Sequence, residues 1–145
     1  MHYMKRNPYS ASSGFTLIEI MVVVVIIGIL AATLLPKVTG RTDEARVTQV
    51  KQDILTLESA LDLYKLDNNV YPSTDDGLEA LVEKPANARK WKDGGYMKRL
   101  GNDPWGTPYQ YLSPGVKGTI DIYSLGADKQ EGGEGINADI GNWDL

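Results

Sequence analysis

Two hydrophobic patterns divide the first half of the chain. From Phe15 to Leu35 the sequence is almost continuously apolar, and Glu19 is its only ionisable residue. The stretch matches the ~20 apolar residues that a helix needs to cross a bilayer core. After it, Pro36 removes a helix hydrogen bond and Gly40 loosens the next turn, which predicts a bend or local melting. The second pattern is periodic. Val47, Val50, Ile54, Leu57, Leu61 and Tyr64 recur at spacings of three and four, the seam of an amphipathic helix. Asp43, Glu44, Lys51, Asp53, Glu58 and Asp62 take much of the opposite side, and Asn68-Asn69 end the helix. The seam is too short for a coiled coil, so packing against the chain's own sheet is expected.

Beyond Asn69 the signals become short. Ser73-Thr74-Asp75-Asp76 supplies cap residues for a brief helix over Gly77 to Glu83, stopped before Pro85. Ala86 to Leu100 reads as a long loop with a Gly94-Gly95 turn, and Asp103-Pro104-Trp105-Gly106 as a tight turn. Strands are predicted over Pro108–Leu112 and Thr119–Ser124, joined by Ser113-Pro114-Gly115. The tail from Gly126 to Leu145 is rich in glycine and acids and has no regular period.

Setting aside the apolar stretch and the fourteen residues that precede it leaves about 110 residues, one small domain. A domain of that size commonly needs a disulfide, a metal or an oligomer. The chain has no cysteine, so a metal or assembly is favoured. The net charge is −4, and it is more negative still without Lys5 and Arg6. That balance argues against nucleic acid as partner, because phosphate binding demands basic clusters. Arg89-Lys90 with Lys92 reads as a solvated loop.

Catalytic chemistry is scarce. The single histidine is His2, in the head. Without cysteine, this excludes a Ser-His-Asp or Cys-His triad, a His/Cys zinc site and a thiol redox motif from the rest of the chain. No phosphate-cradling GxxxxGK[ST] loop is present. Asp75-Asp76 reads as capping rather than as an acid/base pair. The chain is expected not to be an enzyme.

The head, Met1 to Gly14, carries Lys5 and Arg6 and no acid. A secretory signal would place its small-residue cleavage site after the apolar stretch; here Ser10-Ala11-Ser12-Ser13-Gly14 precedes it. Read from the residues alone, the head and stretch also fit an uncleaved signal anchor with Glu19 snorkelling to the interface. Gly14-Phe15-Thr16-Leu17-Ile18-Glu19, however, resembles the class III signal of type IV pilins and type II secretion pseudopilins. That resemblance implies cleavage between Gly14 and Phe15 by a prepilin peptidase, N-methylation of Phe15 and an assembly role for Glu19. An intramembrane carboxylate costs on the order of 2.5–3.5 kcal/mol, so a chain that keeps one is expected to use it.

Three further stretches extend the resemblance over essentially the whole chain: Tyr71-Pro72-Ser73-Thr74-Asp75-Asp76-Gly77-Leu78, Asp103-Pro104-Trp105-Gly106-Thr107-Pro108-Tyr109 and Asp139-Ile140-Gly141-Asn142-Trp143. They resemble the major pseudopilins of type II secretion, the general secretion pathway protein G type. The implied fold is α+β: a long N-terminal helix, membrane-spanning in its first half, packed on a small antiparallel sheet with a calcium-binding C-terminal loop. The implied organisation is a cleaved leader over 1–14, a transmembrane helix over 15–35, the periplasmic half of the helix over 36–68 and a globular domain over 69–145. Basic residues flank the stretch on both sides, so charge alone leaves orientation open; the resemblance implies a cytoplasmic N-terminus and a periplasmic domain at the bacterial inner membrane.

The implied function is that of a structural subunit polymerising into a periplasmic filament that drives folded proteins across the outer membrane. Its implied partners are further copies in a helical homo-oligomer, minor pseudopilins, an inner-membrane assembly platform and the prepilin peptidase. The competing readings are a type IV pilin or competence pseudopilin and, from another class, a monomeric membrane-anchored binding domain. Missing cysteine weighs against an adhesive pilin, which usually closes its C-terminal region with a Cys pair.

The tail is the candidate ligand site. Asp128 to Asp139 offers hard oxygen donors on a backbone rich in glycine, and calcium accepts six to eight oxygens, carbonyls included. As an EF-hand from Asp128 the segment fails: Gln130 and Gly132 fill its third and fifth places and Asp139 its last. Composition alone reads the tail as solvated and acidic. The resemblance instead implies a Ca2+ site with Asp128 and Asp139 as side-chain ligands and the carbonyls of Leu125, Gln130 and Ile136 completing it.

Overall fold

The computed structural model describes residues 14–145, with no account of the side chains of residues 34–39. The leader expected over 1–14, with His2, Lys5 and Arg6, therefore lies outside the described residues except for Gly14. The chain forms two compact units, Met1–Gly40 and Arg41–Leu145. One helix, α1 (Leu17–Asn68), contributes to both. Its helical backbone includes Pro36 and Gly40, so the expected local melting does not occur.

In the first unit every described side chain of α1 is exposed, from Leu17 at 80% to Ile26 at 50% among the large apolar ones. The described side chains of this stretch stop at Thr33, and among the described residues no helix is long and apolar enough to cross a membrane. The chain enters α1 through a reciprocal cap. Thr16 donates from its backbone N and its Oγ1 to one carboxylate oxygen of Glu19, at 2.8 and 2.9 Å, and Glu19 N donates back to Thr16 Oγ1 at 3.3 Å. Thr16-Leu17-Ile18-Glu19 is thus a capping box, a T-x-x-E signal legible in the sequence.

The second unit is built on the periodic seam. Val50, Ile54, Leu57, Leu61 and Tyr64 are all buried, joined by Leu78 and Leu81 from a short 3-10 helix and by Tyr109, Tyr111, Ile120, Ile122 and Ile140 from the sheet side. Fully burying a side chain of this size contributes ~1.5–3 kcal/mol. Three tyrosines fasten the domain to α1 by hydrogen bonds to helix carboxylates. Tyr109 donates to Asp53 at 2.7 Å, Tyr71 to Asp62 at 2.7 Å and Tyr96 to Asp67 at 2.8 Å. Asp53 is therefore half-buried beside the seam instead of fully solvated opposite it, while Asp62 stays exposed, as expected, and still accepts the Tyr71 phenol. The same contacts hold Tyr71 and Tyr96 up at about 12, by the Asp62 hydrogen bond first for Tyr71 and by burial first for Tyr96.

Helix α1 ends where expected. Asn69 sits at φ 66 and donates to the Lys65 carbonyl at 2.7 Å, the left-handed stop that Asn tolerates. The brief helix is a 3-10 turn over Leu78–Leu81 with Gly77 at its N-cap and no side-chain cap. Asp76 does not cap it, contrary to expectation: its carboxylate accepts from Ser73 Oγ at 2.6 Å, Ser73 N at 3.2 Å and Asn87 at 3.0 Å, stapling the preceding turn to the loop. In that loop Gly95, at φ 77, packs so near the Leu81 carbonyl that a Cβ would lie 2.8 Å from its oxygen. The carbonyl accepts from Tyr96 N and Met97 N.

The sheet is antiparallel with order β1 (Gln110–Leu112), β2 (Asp121–Ser124), β3 (Ile140–Gly141). Tyr111 pairs with Ile122 and Ser124 with Ile140. Strands β1 and β2 are shorter than predicted for visible reasons. Pro108 has no N–H for a ladder. Ahead of β2, the Asp121 carboxylate accepts from Val116 N, Lys117 N and Gly118 N and curls that segment into a turn. Strand β3, in the tail, went unpredicted.

Candidate functional site

Two places concentrate the chemistry. The first is the entry to α1, where Glu19 is the lone carboxylate among exposed apolar side chains. Among the described residues its carboxylate accepts from Thr16 and pairs with no cation. Gly14 and Phe15 are exposed and precede the helix. The expected cleavage pair and Glu19 fall within six residues of one another.

The second place is the loop between β2 and β3. Strand pairing fixes its ends, since Ser124 and Ile140 are partners across the ladder. That sets Leu125 and Asp139 side by side as the chain leaves one strand and enters the next. The loop is then cinched. Ala127 N donates to the Ile136 carbonyl at 2.9 Å, and Asp139 N to the Gly132 carbonyl at 3.1 Å. Gly126, at φ 69, approaches so closely that a Cβ would stand 2.8 Å from the carbonyl oxygens of both Ile136 and Ala138. Only glycine meets both demands.

The two carboxylates behave differently. Asp128 is exposed and closes its own turn, accepting from Gln130 N at 3.1 Å. Lys129 inside that turn takes φ 60, a left-handed conformation uncommon outside glycine. Asp139 accepts from Gly132 N at 3.0 Å with one oxygen, while its other oxygen, Oδ1, is buried without a partner. A buried carboxylate oxygen left unpaired is expensive. Among the described residues no three His, Cys, Asp or Glu side chains gather as a metal cluster. A cation at this loop would thus take one or two carboxylates and draw its remaining oxygens from backbone carbonyls. Burial and the Glu131 and Asp139 charges also push the Tyr123 phenol up. Tyr123, in β2 beside the loop, is a neighbour that the sequence has no period or motif to mark.

A family model for type II secretion system protein G matches residues 37–143, and one for the prokaryotic N-terminal methylation motif matches residues 9–35. The chain belongs to the type II secretion system protein G family. Among its relatives, a type II secretion system core protein G of Vibrio cholerae is 62% identical over 135 residues, covering 92% of each chain. The protein of that name from Pseudomonas aeruginosa is also 62% identical, over 91% of this chain and 95% of its own. The crystal structure of the major pseudopilin from the type 2 secretion system of enterohaemorrhagic Escherichia coli aligns with TM-score 0.66 at 47% identity. It covers 74% of this chain and 94% of that one. The α+β pseudopilin fold, the role of a pseudopilus subunit in type II secretion and the prepilin-type methylation motif expected from the sequence all hold. This pseudopilin is anchored at a membrane and assembles with other components of the secretion system.

Proposed function

We propose that the chain is matured between Gly14 and Phe15, is N-methylated on Phe15, and polymerises as the major repeating subunit of the pseudopilus without catalysing any reaction. The observation that carries this reading is the first unit of α1: a helix with every described apolar side chain exposed and one carboxylate. Such a surface is stable only when lipid or neighbouring helices cover it. In the bilayer, lipid covers it, with the stretch from Phe15 to Leu35 spanning the inner membrane, the N-terminus in the cytoplasm and the domain in the periplasm. In the filament, the same stretch of neighbouring subunits replaces lipid. Minor pseudopilins, an inner-membrane platform and the prepilin peptidase are the partners in that cycle, and nucleic acid is not one.

Glu19 gives the assembly its register. Cleavage creates an ammonium on Phe15, and an ion pair between it and Glu19 of an adjoining copy offsets the cost of holding a carboxylate in an apolar layer. Thr16 holds the carboxylate until that partner arrives. The test is pseudopilus yield from cells carrying Glu19→Ala. Insertion and cleavage should persist, with cleaved Phe15 seen by intact-mass spectrometry, while filaments fall at least several-fold. Wild-type yield from Glu19→Ala would revive the monomeric membrane-anchored domain.

The β2–β3 loop is proposed to hold calcium. The unpartnered Asp139 Oδ1, with hard carbonyl oxygens on a cinched backbone, fits a cation that accepts carbonyl and carboxylate oxygen in flexible geometry. Asp128 and Asp139 would be the side-chain ligands, with the carbonyls of Leu125, Gln130 and Ile136. The ion would supply positive charge that relieves the unpaired oxygen and couples its binding energy to folding of the tail.

A further inference from the structure

The tight turn Asp103-Pro104-Trp105-Gly106 is remote in sequence from the β2–β3 loop, yet one chain of buried hydrogen bonds joins them. Asp103 is 4% exposed. A carboxylate at that depth is costly unless its oxygens are satisfied, and here they are. Oδ1 accepts from Trp105 N at 3.0 Å and Thr107 N at 2.8 Å; Oδ2 accepts from Ser124 Oγ at 2.6 Å. Ser124 is 0% exposed. Its single hydroxyl proton is committed to Asp103, so its lone pairs face the other way, and one accepts from Gly126 N at 3.1 Å.

The next link follows from covalent geometry. The Gly126 N–H and the Leu125 carbonyl belong to one planar trans peptide, so fixing the first fixes the direction of the second. They point in opposite senses: the N–H inward to Ser124, the carbonyl away from it. The negative charge on Asp103 polarises the Ser124 hydroxyl and makes it a stronger acceptor, and the linked bonds reinforce one another. Gly126 is meanwhile wedged against the Ile136 and Ala138 carbonyls.

We infer that Asp103 and Ser124 are positioning residues for the cation of the β2–β3 loop, aiming the Leu125 carbonyl through the Gly126 amide. Neither touches the ion. A turn alone does not need a buried charge, because an asparagine closes it with the same Oδ1 acceptor; the second oxygen, spent on Ser124, is what calls for aspartate. The inference rests on the calcium reading of this loop.

The test uses the full mature chain in detergent, with calcium affinity measured by isothermal titration at a temperature where each variant is folded. Ser124→Ala should weaken calcium binding about 10-fold to 100-fold, the usual effect of removing a partner that orients a ligand. Asp103→Asn is near-isosteric and should do the same, since its amide turns a donor toward Ser124 and leaves the hydroxyl proton without an acceptor. Asp121→Asn is the control, a buried carboxylate that holds the Val116–Gly118 turn. It should lower the melting temperature and leave affinity unchanged. A merely structural role predicts that all three variants melt earlier and bind calcium as the wild type does, and that result overturns the inference while leaving the calcium reading intact. So does a Ser124→Ala chain unfolded in calcium and chelator alike, if Asp103→Asn binds normally. Absence of any calcium heat with the wild type overturns both.

Discussion

The two stretches of α1 meet opposite environments. Between Leu17 and Leu30 the large apolar side chains are all at least half exposed, whereas from Val50 to Tyr64 the seam residues are 4% exposed or less. The polar groups follow the same division. In the first stretch Glu19 is satisfied by its own neighbour Thr16, and in the second Asp53, Asp62 and Asp67 are satisfied by tyrosines from across the domain. A helix apolar on all sides leaves its covering to lipid or other chains, while a helix apolar along one seam completes its core within one chain. Stability of the folded domain and stability of the filament are therefore carried by different residues, and mutations should separate them.

The sharpest separation comes from matched truncations. Leu61→Ala removes a 0% exposed side chain from the core and should cost ~2–5 kcal/mol of domain stability. Ile26→Ala, in the exposed stretch, should leave the melting of the domain unchanged and reduce pseudopilus yield. Both are read on the full chain in detergent, by thermal melting of the near-ultraviolet signal of the tyrosines and tryptophans. Equal melting shifts from the two truncations would break the division.

A smaller effect sits at the β2–β3 loop, which belongs to neither stretch of the helix. If calcium binds there, saturation at one hundred times the dissociation constant adds ~2.7 kcal/mol. Asp139→Ala should abolish that increment, so that the variant melts alike in calcium and in EGTA. It also removes the unpartnered Oδ1, so its melting in EGTA should lie close to that of the wild type. A wild-type chain whose melting ignores EGTA would mean a solvated acidic loop.

What the sequence disclosed tracks how local the cause is. The seam was legible because 3.6-residue periodicity repeats over several turns, and the apolar stretch because length alone marks it. Strand β3 was not, since Ile140 and Gly141 become a strand only by pairing with Ser124 and Tyr123, and two residues hold no period. The short helix was found, but its cap was misassigned. Ser73 and Asp76 have the spacing of a cap pair, and only the folded loop shows Asn87 arriving to share the carboxylate. At the candidate sites the residue types were readable, while the inward turn of Asp139 Oδ1 and the Asp103–Ser124 link depend on contacts between segments far apart in the chain.

The smallest predicted effect tests whether that Asp76 staple acts through its charge. The Ser73 hydroxyl, then Asn87, hold the Asp76 carboxyl below its ordinary value of 3.8. A carboxylate depressed in the folded state adds stability that is fully present above the unfolded value and is lost as pH falls through the folded one. Ser73→Ala removes the largest cause, so the variant should melt slightly earlier than the wild type at neutral pH. The gap should narrow once pH drops below about 4, where Asp76 protonates in the unfolded chain and then in the folded one. Asp76 is a group near the surface, so the gap should be small. Ser73 also accepts from Asp76 N at 3.1 Å, a contact that acid leaves alone. A gap that stays constant from neutral pH to pH ~3 would therefore assign the staple to that backbone contact, and charge would have no part in it. Such an acid-sensitive gap belongs to the domain, so it should be the same in chains that carry Ile26→Ala.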